Sequence, residues 1–362
     1  MPAPEPPESA PDEASAPREA EFARLRSKWG ILRPGDVKER CDRAKGQRFL
    51  IEGQIPERSL GLVLGESGLG KSPLAYQMGM CVASGIPFLG AAVRQSRVLY
   101  FDFENGLQDI ENLETRLTAH LRLPAPPNDF WVWNINDSPP TWSAHMAYEM
   151  IRDAKPGLVF IDPISGLCPE AEKSNVDANT FYQTLRRVIR DCGCSIINLH
   201  HPKKPPSPMP GQSVTLRSLE DESDPRGWFV QARGASVLVN GADVRLGVDI
   251  PGTSGAANSD VALVVRGYRR MVGEIPTMHL TRVYGDDGEP LGYRRLSGVQ
   301  LLCNPLQEAA FLKLPGRFGF KDAMRAYGRK DQATSDFLKK SIALGILRKP
   351  AHGVYEKEKL AE

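Results

Sequence analysis

One short segment of the sequence has the residue types and spacing needed to hold phosphate groups. Residues 65–72, Gly-Glu-Ser-Gly-Leu-Gly-Lys-Ser, match the pattern GxxxxGK[ST] and follow the apolar run 61–64. Glycines let such a loop curl so that backbone N–H groups face a β-phosphate, while the lysine reaches the outer phosphates and the serine hydroxyl holds Mg²⁺. The residues expected to bind ATP and Mg²⁺ are Gly65, Glu66, Ser67, Gly68, Leu69, Gly70, Lys71, Ser72 and Pro73.

Pro73 departs from the usual composition of such a loop. It stands where another backbone N–H would point toward the α-phosphate, and proline has no N–H. We expect nucleotide binding to survive, with a weaker contact at this position.

Two carboxylates end apolar runs downstream of the loop. Asp162 follows one such run, and an acid in that place can hold Mg²⁺ through water. Hydrolysis also requires a base that orients water opposite the leaving phosphate, and Glu104, after the run 98–103, is the expected base. Two alternatives remain open: Asp102 acts as the base, or Glu104 only caps the helix predicted to start near residue 107.

Two adjacent histidines, His200 and His201, end the apolar run 195–199. Neighbouring residues of a strand point to opposite faces, so the pair is poorly placed to share one metal ion. The pattern favours one of them as a polar sensor of the γ-phosphate. The alternative is a structural histidine whose hydrogen bonds are satisfied inside the core.

These residues require a scaffold that brings the ends of several strands together. Short apolar runs alternate with amphipathic stretches, which predicts an α/β fold with a mostly parallel sheet covered on both faces. Ligands of such sheets bind at the carboxyl ends of the strands. The predicted parallel strands are 61–64, 98–103, 130–134, 158–161 and 195–199, and the predicted helices are 71–84, 107–121, 141–154 and 175–192. Beyond a proline-rich loop at 202–227, further strands at 235–240, 244–250, 261–268 and 278–283 are expected as antiparallel additions.

Five segments in fixed order resemble a known family. GESGLGKS, VLYFDFEN, GLVFIDPIS, INLHHPKK and RGASVLVNGADVR are similar to the RepA-type hexameric replicative helicase ATPases, a branch of the RecA-like P-loop class, over about residues 45–285. The resemblance implies that Lys71 and Ser72 bind the nucleotide and Mg²⁺, and that Asp162 is the Walker B acid. It further implies that Glu104 is the catalytic carboxylate and that His200 or His201 is the sensor.

The same resemblance implies an arginine that reaches the nucleotide of a neighbouring subunit. Arg245 is the best match, and Arg233 is the rival because the spacing between them is longer than the family pattern. An arginine supplied in trans makes hydrolysis depend on assembly, so we expect a homo-oligomeric ring, a hexamer. The alternative is that both are surface arginines on an edge strand.

The net charge of +2 is a sum of unlike parts. Residues 1–24 carry a net charge of −4, whereas residues 311–362 carry +6. The C-terminal sequence predicts three helices followed by a hairpin, which is the order of a winged helix-turn-helix. Such a domain can contact duplex DNA or serve only as a protein contact. The predicted organisation is a disordered acidic head at 1–22, an adapter at 23–57, a RecA-like ATPase domain at 58–299 and a winged-helix-like domain at 300–362.

The remaining composition excludes other classes. Six cysteines lack the paired spacing of zinc sites, which favours a reduced, cytoplasmic protein. The longest uncharged run, 72–93, contains two prolines and follows the phosphate-binding loop, so we expect no membrane span.

The expected function is an ATP-hydrolysing ring motor that passes single-stranded DNA through its centre and contacts duplex through the C-terminal domain. A replicative helicase or loader of plasmid, phage or mobile-element type fits this description. The alternative is an ATP-dependent DNA-binding regulator that does not unwind DNA.

Overall fold

A computed structural model describes residues 15–43, 47–137, 144–203, 217–222, 224–251, 261–270, 273–296, 298–302, 304–344 and 346–357. The chain divides into two compact units, residues 1–48 and 49–362. The first unit contains α1 (Ser15–Trp29) and α2 (Pro34–Arg43). Arg33 joins the two helices, since its Nη1 lies 2.6 Å from Glu19 Oε1 and its guanidinium covers the Phe22 ring. Helix α1 begins inside the segment expected to be disordered, where alanine, glutamate and arginine favour helix.

The second unit is built on one large sheet. Its strands up to the proline-rich loop are β1 (Phe49–Ile51), β2 (Ile55–Pro56), β3 (Leu60–Leu64), β4 (Val98–Asp102), β5 (Phe130–Asn134), β6 (Leu158–Asp162) and β7 (Ser195–His200). Those after it are β8 (Val244–Asp249), β9 (Leu263–Arg269), β10 (Gly273–Tyr284) and β11 (Pro290–Arg295). Among the described residues, nine of these strands form a sheet in the order β11-β10-β9-β8-β3-β7-β6-β4-β5, while β1 and β2 pair separately. The six strands from β8 to β5 run parallel, and β9, β10 and β11 are antiparallel.

Helices cover both faces of this sheet, as the sequence predicts. They are α3 (Lys71–Ser84), α4 (Leu107–His120), α5 (Ala144–Ala154), α6 (Ile164–Leu167), α7 (Asn175–Cys192), α8 (Pro225–Trp228) and α9 (Ser236–Asn240). Every residue of β3, β4, β6 and β7 is buried, which explains why these strands read as continuous apolar runs. Two apolar clusters result, one around α3 and one around α7. The fold class is therefore the expected α/β core with a mostly parallel sheet.

Two expectations about the later strands are wrong. Residues 236–240 form helix α9, which buries Leu238 and Val239, because a five-residue apolar run does not distinguish strand from helix. Strand β8 is not an antiparallel addition, since it pairs in parallel with β3 and only its other side meets the antiparallel β9. Most of the proline-rich loop, residues 204–216, lies outside the described residues.

A small helix-and-sheet region follows, as expected. It contains α10 (Pro305–Lys313), β12 (Arg317–Gly319), α11 (Phe320–Tyr327), α12 (Asp331–Ala343), β13 (Leu347–Ala351) and β14 (Val354–Lys357). The three strands form an antiparallel sheet in the order β12-β14-β13. A core of its own, which includes Phe311, Phe318 and Phe337, holds the helices on this sheet. The sequence missed β12 because three residues, one of them glycine, give no strand signal.

No helix in the described ranges is both long and apolar enough to span a bilayer.

Candidate nucleotide-binding and hydrolysis site

The phosphate-binding loop connects the end of β3 to the start of α3. Gly68 and Gly70 adopt φ values of 78° and 107°, in the left-handed region that favours glycine. A Cβ on Gly65 would lie 2.5 Å from the carbonyl oxygen of Val248, so the loop passes β8 where a side chain cannot fit. The loop therefore directs the N-terminus of a 14-residue helix, with its free N–H groups and positive dipole, at any bound anion.

Pro73 lies within the first turn of α3. N–H groups of a first turn have no intrahelical acceptor, so proline breaks no helical hydrogen bond there. The helix continues normally beyond it, and Leu74 donates to the carbonyl oxygen of Gly70 at 3.1 Å. Pro73 thus removes one possible phosphate donor without disturbing the helix.

Lys71 lies at the centre of the site and is 5% exposed. Its Nζ donates to the Glu66 carbonyl oxygen at 2.7 Å and lies 3.3 Å from Nδ1 of His201. Burial lowers the pKa of Lys71, while the nearby carboxylates of Asp162, Glu104 and Glu66 oppose that shift. The ammonium group is therefore held where several oxygen-bearing groups converge.

Asp162 ends β6 next to Lys71 and is almost fully buried. Tyr100 donates its hydroxyl to Oδ2 of Asp162 at 2.6 Å, and Ser72 also hydrogen-bonds to this carboxylate. Burial raises the pKa of Asp162 to about 6, against the effect of these two hydrogen bonds.

The oxygens of Ser72 and Asp162 are the kind of hard ligand that Mg²⁺ prefers. Among the described residues, no group of three or more His, Cys, Asp or Glu side chains could hold a metal ion without help. Mg²⁺ sites commonly combine one or two protein oxygens with substrate phosphates and water, and Ser72 and Asp162 can supply such oxygens here. The residues present therefore fit Mg²⁺ bound together with a nucleotide.

Asp102 and Glu104, the two candidate bases, have different surroundings. Asp102 is fully buried and accepts four hydrogen bonds, from Tyr76 Oη, the Glu104 N–H, the Asn105 N–H and Asn105 Nδ2, at 2.7–3.0 Å. Its oxygens are thus occupied in holding the turn after β4. The Glu104 side chain is 47% exposed and lies 3.5 Å from His201 Nε2, and this contact lowers the pKa of Glu104. Gly106, rather than Glu104, occupies the N-cap position of α4.

The two histidines point to opposite sides of β7, as expected. His200 is fully buried, and its Nε2 donates to the Arg233 carbonyl oxygen at 2.8 Å. Burial lowers the pKa of His200. His201 instead lies between Lys71 and Glu104, where a neutral imidazole can accept at Nδ1 and donate at Nε2. The structure therefore brings His201 into the site and places His200 behind it.

The two candidate arginines also differ. Arg233 is 40% exposed, pairs with Glu172 Oε1 at 2.7 Å, and contributes to the lowered pKa of Glu104. Arg245, on β8, is only 4% exposed and donates to the carbonyl oxygens of Val239 and Asn240 at 2.7 and 3.0 Å. Its guanidinium also covers the Tyr268 ring at 4.7 Å. Arg233 thus lies near Glu104 and its backbone N–H donates to the His201 carbonyl oxygen, whereas the Arg245 guanidinium is held by the carbonyl oxygens of residues 239 and 240.

A cavity of about 390 Å³ opens beside the phosphate-binding loop. One wall comes from α4 and another from β10 and β11; the lining residues are Gly68, Gly70, Pro73, Asp109, Asn112, Leu113, Arg116, Arg282, Glu289, Pro290, Leu291, Gly292 and Tyr293. Sequence reasoning missed this cavity. Its walls are separated by more than 150 residues of chain, and β11 carries no motif that could have revealed it.

Strand β11 is fixed to the loop helix by a buried polar bridge. Gln77 exchanges two hydrogen bonds of 2.8 Å with the backbone N–H and carbonyl of Tyr293. His120, at the end of α4, donates to the same carbonyl oxygen at 3.0 Å. A Cβ on Gly70 would lie 2.0 Å from the Tyr293 hydroxyl, so this strand packs directly on the phosphate-binding loop.

Comparison with known proteins agrees with this geometry. Residues 35–207, just under half of the chain, match the model of the AAA domain family. This range contains the phosphate-binding loop, Glu104, Asp162 and both histidines. The loop and the sheet thus form an α/β nucleotide-binding core, and residues 35–207 of the chain are similar to the AAA domain family.

A search of solved structures found, among others, a KaiC-like protein from the hyperthermophilic archaeon Pyrococcus horikoshii OT3. The two chains are 13% identical and superpose with a TM-score of 0.41, over 68% of this chain and 93% of that one. The comparison with curated proteins found no match.

Proposed function

We propose that the protein hydrolyses ATP with Glu104 as the general base. The observation that carries the proposal is the row Lys71–His201–Glu104, whose members lie 3.3 and 3.5 Å apart at the phosphate-binding loop. A carboxylate with a lowered pKa and partial exposure is ionised at neutral pH and reachable by water. Glu104 would accept a proton from the water that attacks the γ-phosphorus, and His201 would hold its carboxylate in place.

The loop N–H groups and Lys71 would bind the phosphates, and Ser72 with Asp162 would hold Mg²⁺. When bound, Mg²⁺ neutralises charge on the β- and γ-phosphate oxygens. The cavity beside Gly70 has the size and position to receive the nucleoside, with apolar Leu113, Leu291 and Pro290 beside polar Asn112.

The substitution Glu104→Gln tests the assignment of the base. It should reduce turnover by about a hundredfold or more while leaving the affinity for a fluorescent ATP analogue unchanged. Glu111→Gln, the same change at an exposed position of α4, is the matched control and should leave both quantities unaltered. Unchanged turnover in Glu104→Gln would mean that another group is the base or that the protein is a nucleotide-binding scaffold.

The proposal extends to a DNA motor, a replicative helicase or loader assembled as a hexameric ring. It is supported by the ordered motif resemblance and by the basic C-terminal region, whose helices and hairpin can contact duplex while single-stranded DNA occupies the ring. Of the two arginines, we favour Arg233 as the one that assists hydrolysis, because it is 40% exposed and close enough to Glu104 to help lower its pKa, whereas Arg245 is buried.

Two measurements test this extension. The mass in solution should increase with ATP and single-stranded DNA, and a monomer under every condition would contradict the ring. DNA should stimulate turnover, and a fluorescent forked duplex should be unwound. Stimulated turnover without strand displacement would favour the second candidate, an ATP-dependent DNA-binding regulator that the same basic region also supports.

A further inference from the structure

Two buried tyrosines approach the two carboxylates that end neighbouring strands. Tyr100, on β4, donates to Oδ2 of Asp162 at 2.6 Å, and Tyr76, on α3, donates to Oδ2 of Asp102 at 2.8 Å. Both tyrosines are fully buried, and their ring centroids are 4.2 Å apart. The two aspartates are direct partners in the register of β4 and β6.

The two aspartates differ in how many other hydrogen-bond donors hold them besides the tyrosine hydroxyl. Asp102 accepts three further hydrogen bonds from the turn that follows it, so its orientation does not depend on Tyr76 alone. For Asp162, the described side-chain donors are Tyr100 and Ser72 alone. Because Ser72 is also a proposed Mg²⁺ ligand, Tyr100 is the donor that can hold the carboxylate when Ser72 turns to the metal.

The position of the Tyr100 hydroxyl is itself rigid. The ring stacks on Phe160, with centroids 5.2 Å apart, and is also in contact with the Tyr76 ring. A donor with a fixed position can fix the plane of the carboxylate that accepts from it.

We propose that Tyr100 is a positioning residue for Asp162, whose hydroxyl keeps the carboxylate turned toward Ser72 and the Mg²⁺ site. The inference rests on the proposed function, since it assigns Tyr100 a part in Mg²⁺–ATP binding. Groups that orient a metal ligand from behind commonly change metal affinity by about 10- to 100-fold when removed. Tyr100 does not contact the nucleotide and acts through Asp162.

The test is the substitution Tyr100→Phe, which removes one oxygen atom and keeps the packed ring. The affinity for a fluorescent ATP analogue is measured by titration, once with Mg²⁺ and once with EDTA. Wild-type protein should bind more tightly with Mg²⁺. In Tyr100→Phe this gain should shrink about tenfold, while the affinity in EDTA stays the same.

Tyr76→Phe is the matched control. It removes the same atom from an equally buried ring, but from Asp102, which keeps three other donors. The Mg²⁺-dependent gain of Tyr76→Phe should equal that of wild type. An equal loss in both variants would indicate a general packing effect and overturn the proposal.

If Tyr100→Phe alone fails to fold, the double variant Tyr100→Phe/Asp162→Asn provides the test. It removes the buried charge of Asp162, which would otherwise have lost a hydrogen-bond partner. If Tyr100 acts through Asp162, the double variant should bind Mg²⁺–ATP as Asp162→Asn does. A further loss in the double variant, or a full Mg²⁺-dependent gain in folded Tyr100→Phe, would overturn the inference. Wild-type protein that shows no Mg²⁺-dependent binding would instead contradict the proposed function.

Discussion

At the scale of single residues, hydrogen-bond partners separate residues that the sequence leaves equivalent. Asp102 ends β4 and Glu104 follows it, but the first accepts from four donors and the second faces His201. His200 and His201 are likewise divided between the interior and the site. Burial with hydrogen bonds to the backbone or to neighbouring side chains indicates a structural role for Asp102 and His200, and a position in the row with Lys71 indicates a chemical role for His201 and Glu104.

The two arginines should therefore respond differently to truncation. Arg245→Ala removes a buried donor to the Val239 carbonyl oxygen and the contact with the Tyr268 ring, which should lower the free energy of unfolding by about 2 kcal/mol and leave turnover per folded molecule nearly unchanged. Arg233→Ala should reduce turnover with a smaller effect on stability, because its pair with Glu172 is partly exposed. Urea denaturation and an ATPase assay measure the two effects. Loss of turnover in a fully stable Arg245→Ala would instead assign the trans role to Arg245.

His200 should make stability depend on pH. Its folded pKa is lowered by burial, so below the usual histidine pKa of about 6.5 the unfolded chain binds a proton that the folded chain does not. The free energy of unfolding should therefore be fully retained above that pH and decrease as the pH falls, by at most about 1.4 kcal/mol per pH unit for one proton.

The variant His200→Gln keeps a donor for the Arg233 carbonyl but cannot titrate. Urea midpoints at pH 7.5 and 5.5 should differ less in His200→Gln than in wild type. The exposed His145, changed to Gln, is the control and should retain the wild-type difference. An unchanged difference in His200→Gln would exclude His200 as a source of the pH dependence.

At the scale of elements, the site is an assembly of strand ends and one added strand. The loop, Glu104, Asp162 and His201 come from the ends of four parallel strands, which the fold class alone places together. Strand β11 reaches the loop from the antiparallel part of the sheet, where Gln77 and His120 hold it. It completes the wall of the cavity beside Gly70.

The substitution Gly70→Ala tests this contact. An added Cβ would meet the Tyr293 hydroxyl at 2.0 Å and require a left-handed backbone, so nucleotide affinity should fall by about tenfold or more. Gly68→Ala shares the backbone strain but has open space around its Cβ, so it should lose less. Adding Tyr293→Phe to Gly70→Ala should restore part of the affinity, because the next atom lies at 3.2 Å. Equal losses at both glycines would argue against a functional contact with β11.

At the scale of the whole molecule, charge is distributed by region. The hairpin β13–β14, residues 347–357, exposes Arg348, Lys349 and His352, with Arg348 paired to Glu356, whereas α12 exposes Asp331 and Asp336 together with Lys339. The hairpin is the more basic of the two, so under the proposed DNA function we expect it to contact the DNA backbone. Contact of this kind depends on salt and carries little sequence preference.

Charge reversal in the hairpin β13–β14 tests whether it contacts the DNA backbone. The double variant Arg348→Glu/Lys349→Glu should weaken binding to a labelled duplex and reduce the slope of log affinity against log salt by about one per lost contact. The control, Arg187→Glu/Arg190→Glu, makes the same change on exposed residues of α7 and should bind nearly as wild type. If both variants lose the same affinity for duplex, net charge rather than the hairpin β13–β14 governs binding.

The sequence by itself determined the features that depend on neighbouring residues. The phosphate-binding loop, the parallel strands, the helices α3 and α7 and the helices and hairpin of the C-terminal region follow from local spacing and periodicity, and the structure confirms them. Local pattern failed at 235–240, where a short apolar run is ambiguous, and at β8, whose partner lies far away in the chain.

Only the tertiary structure decided which of the candidate side chains meet. Within each pair of candidates, contacts in the folded chain decided which residue lies in the site. His200, for example, bonds to the carbonyl oxygen of Arg233 and so lies behind the site, while His201 lies in it. The cavity depends on Gln77 binding Tyr293 across 216 positions of sequence. Hydrogen bonds and burial between distant segments form only when the chain is folded, and no local pattern encodes them.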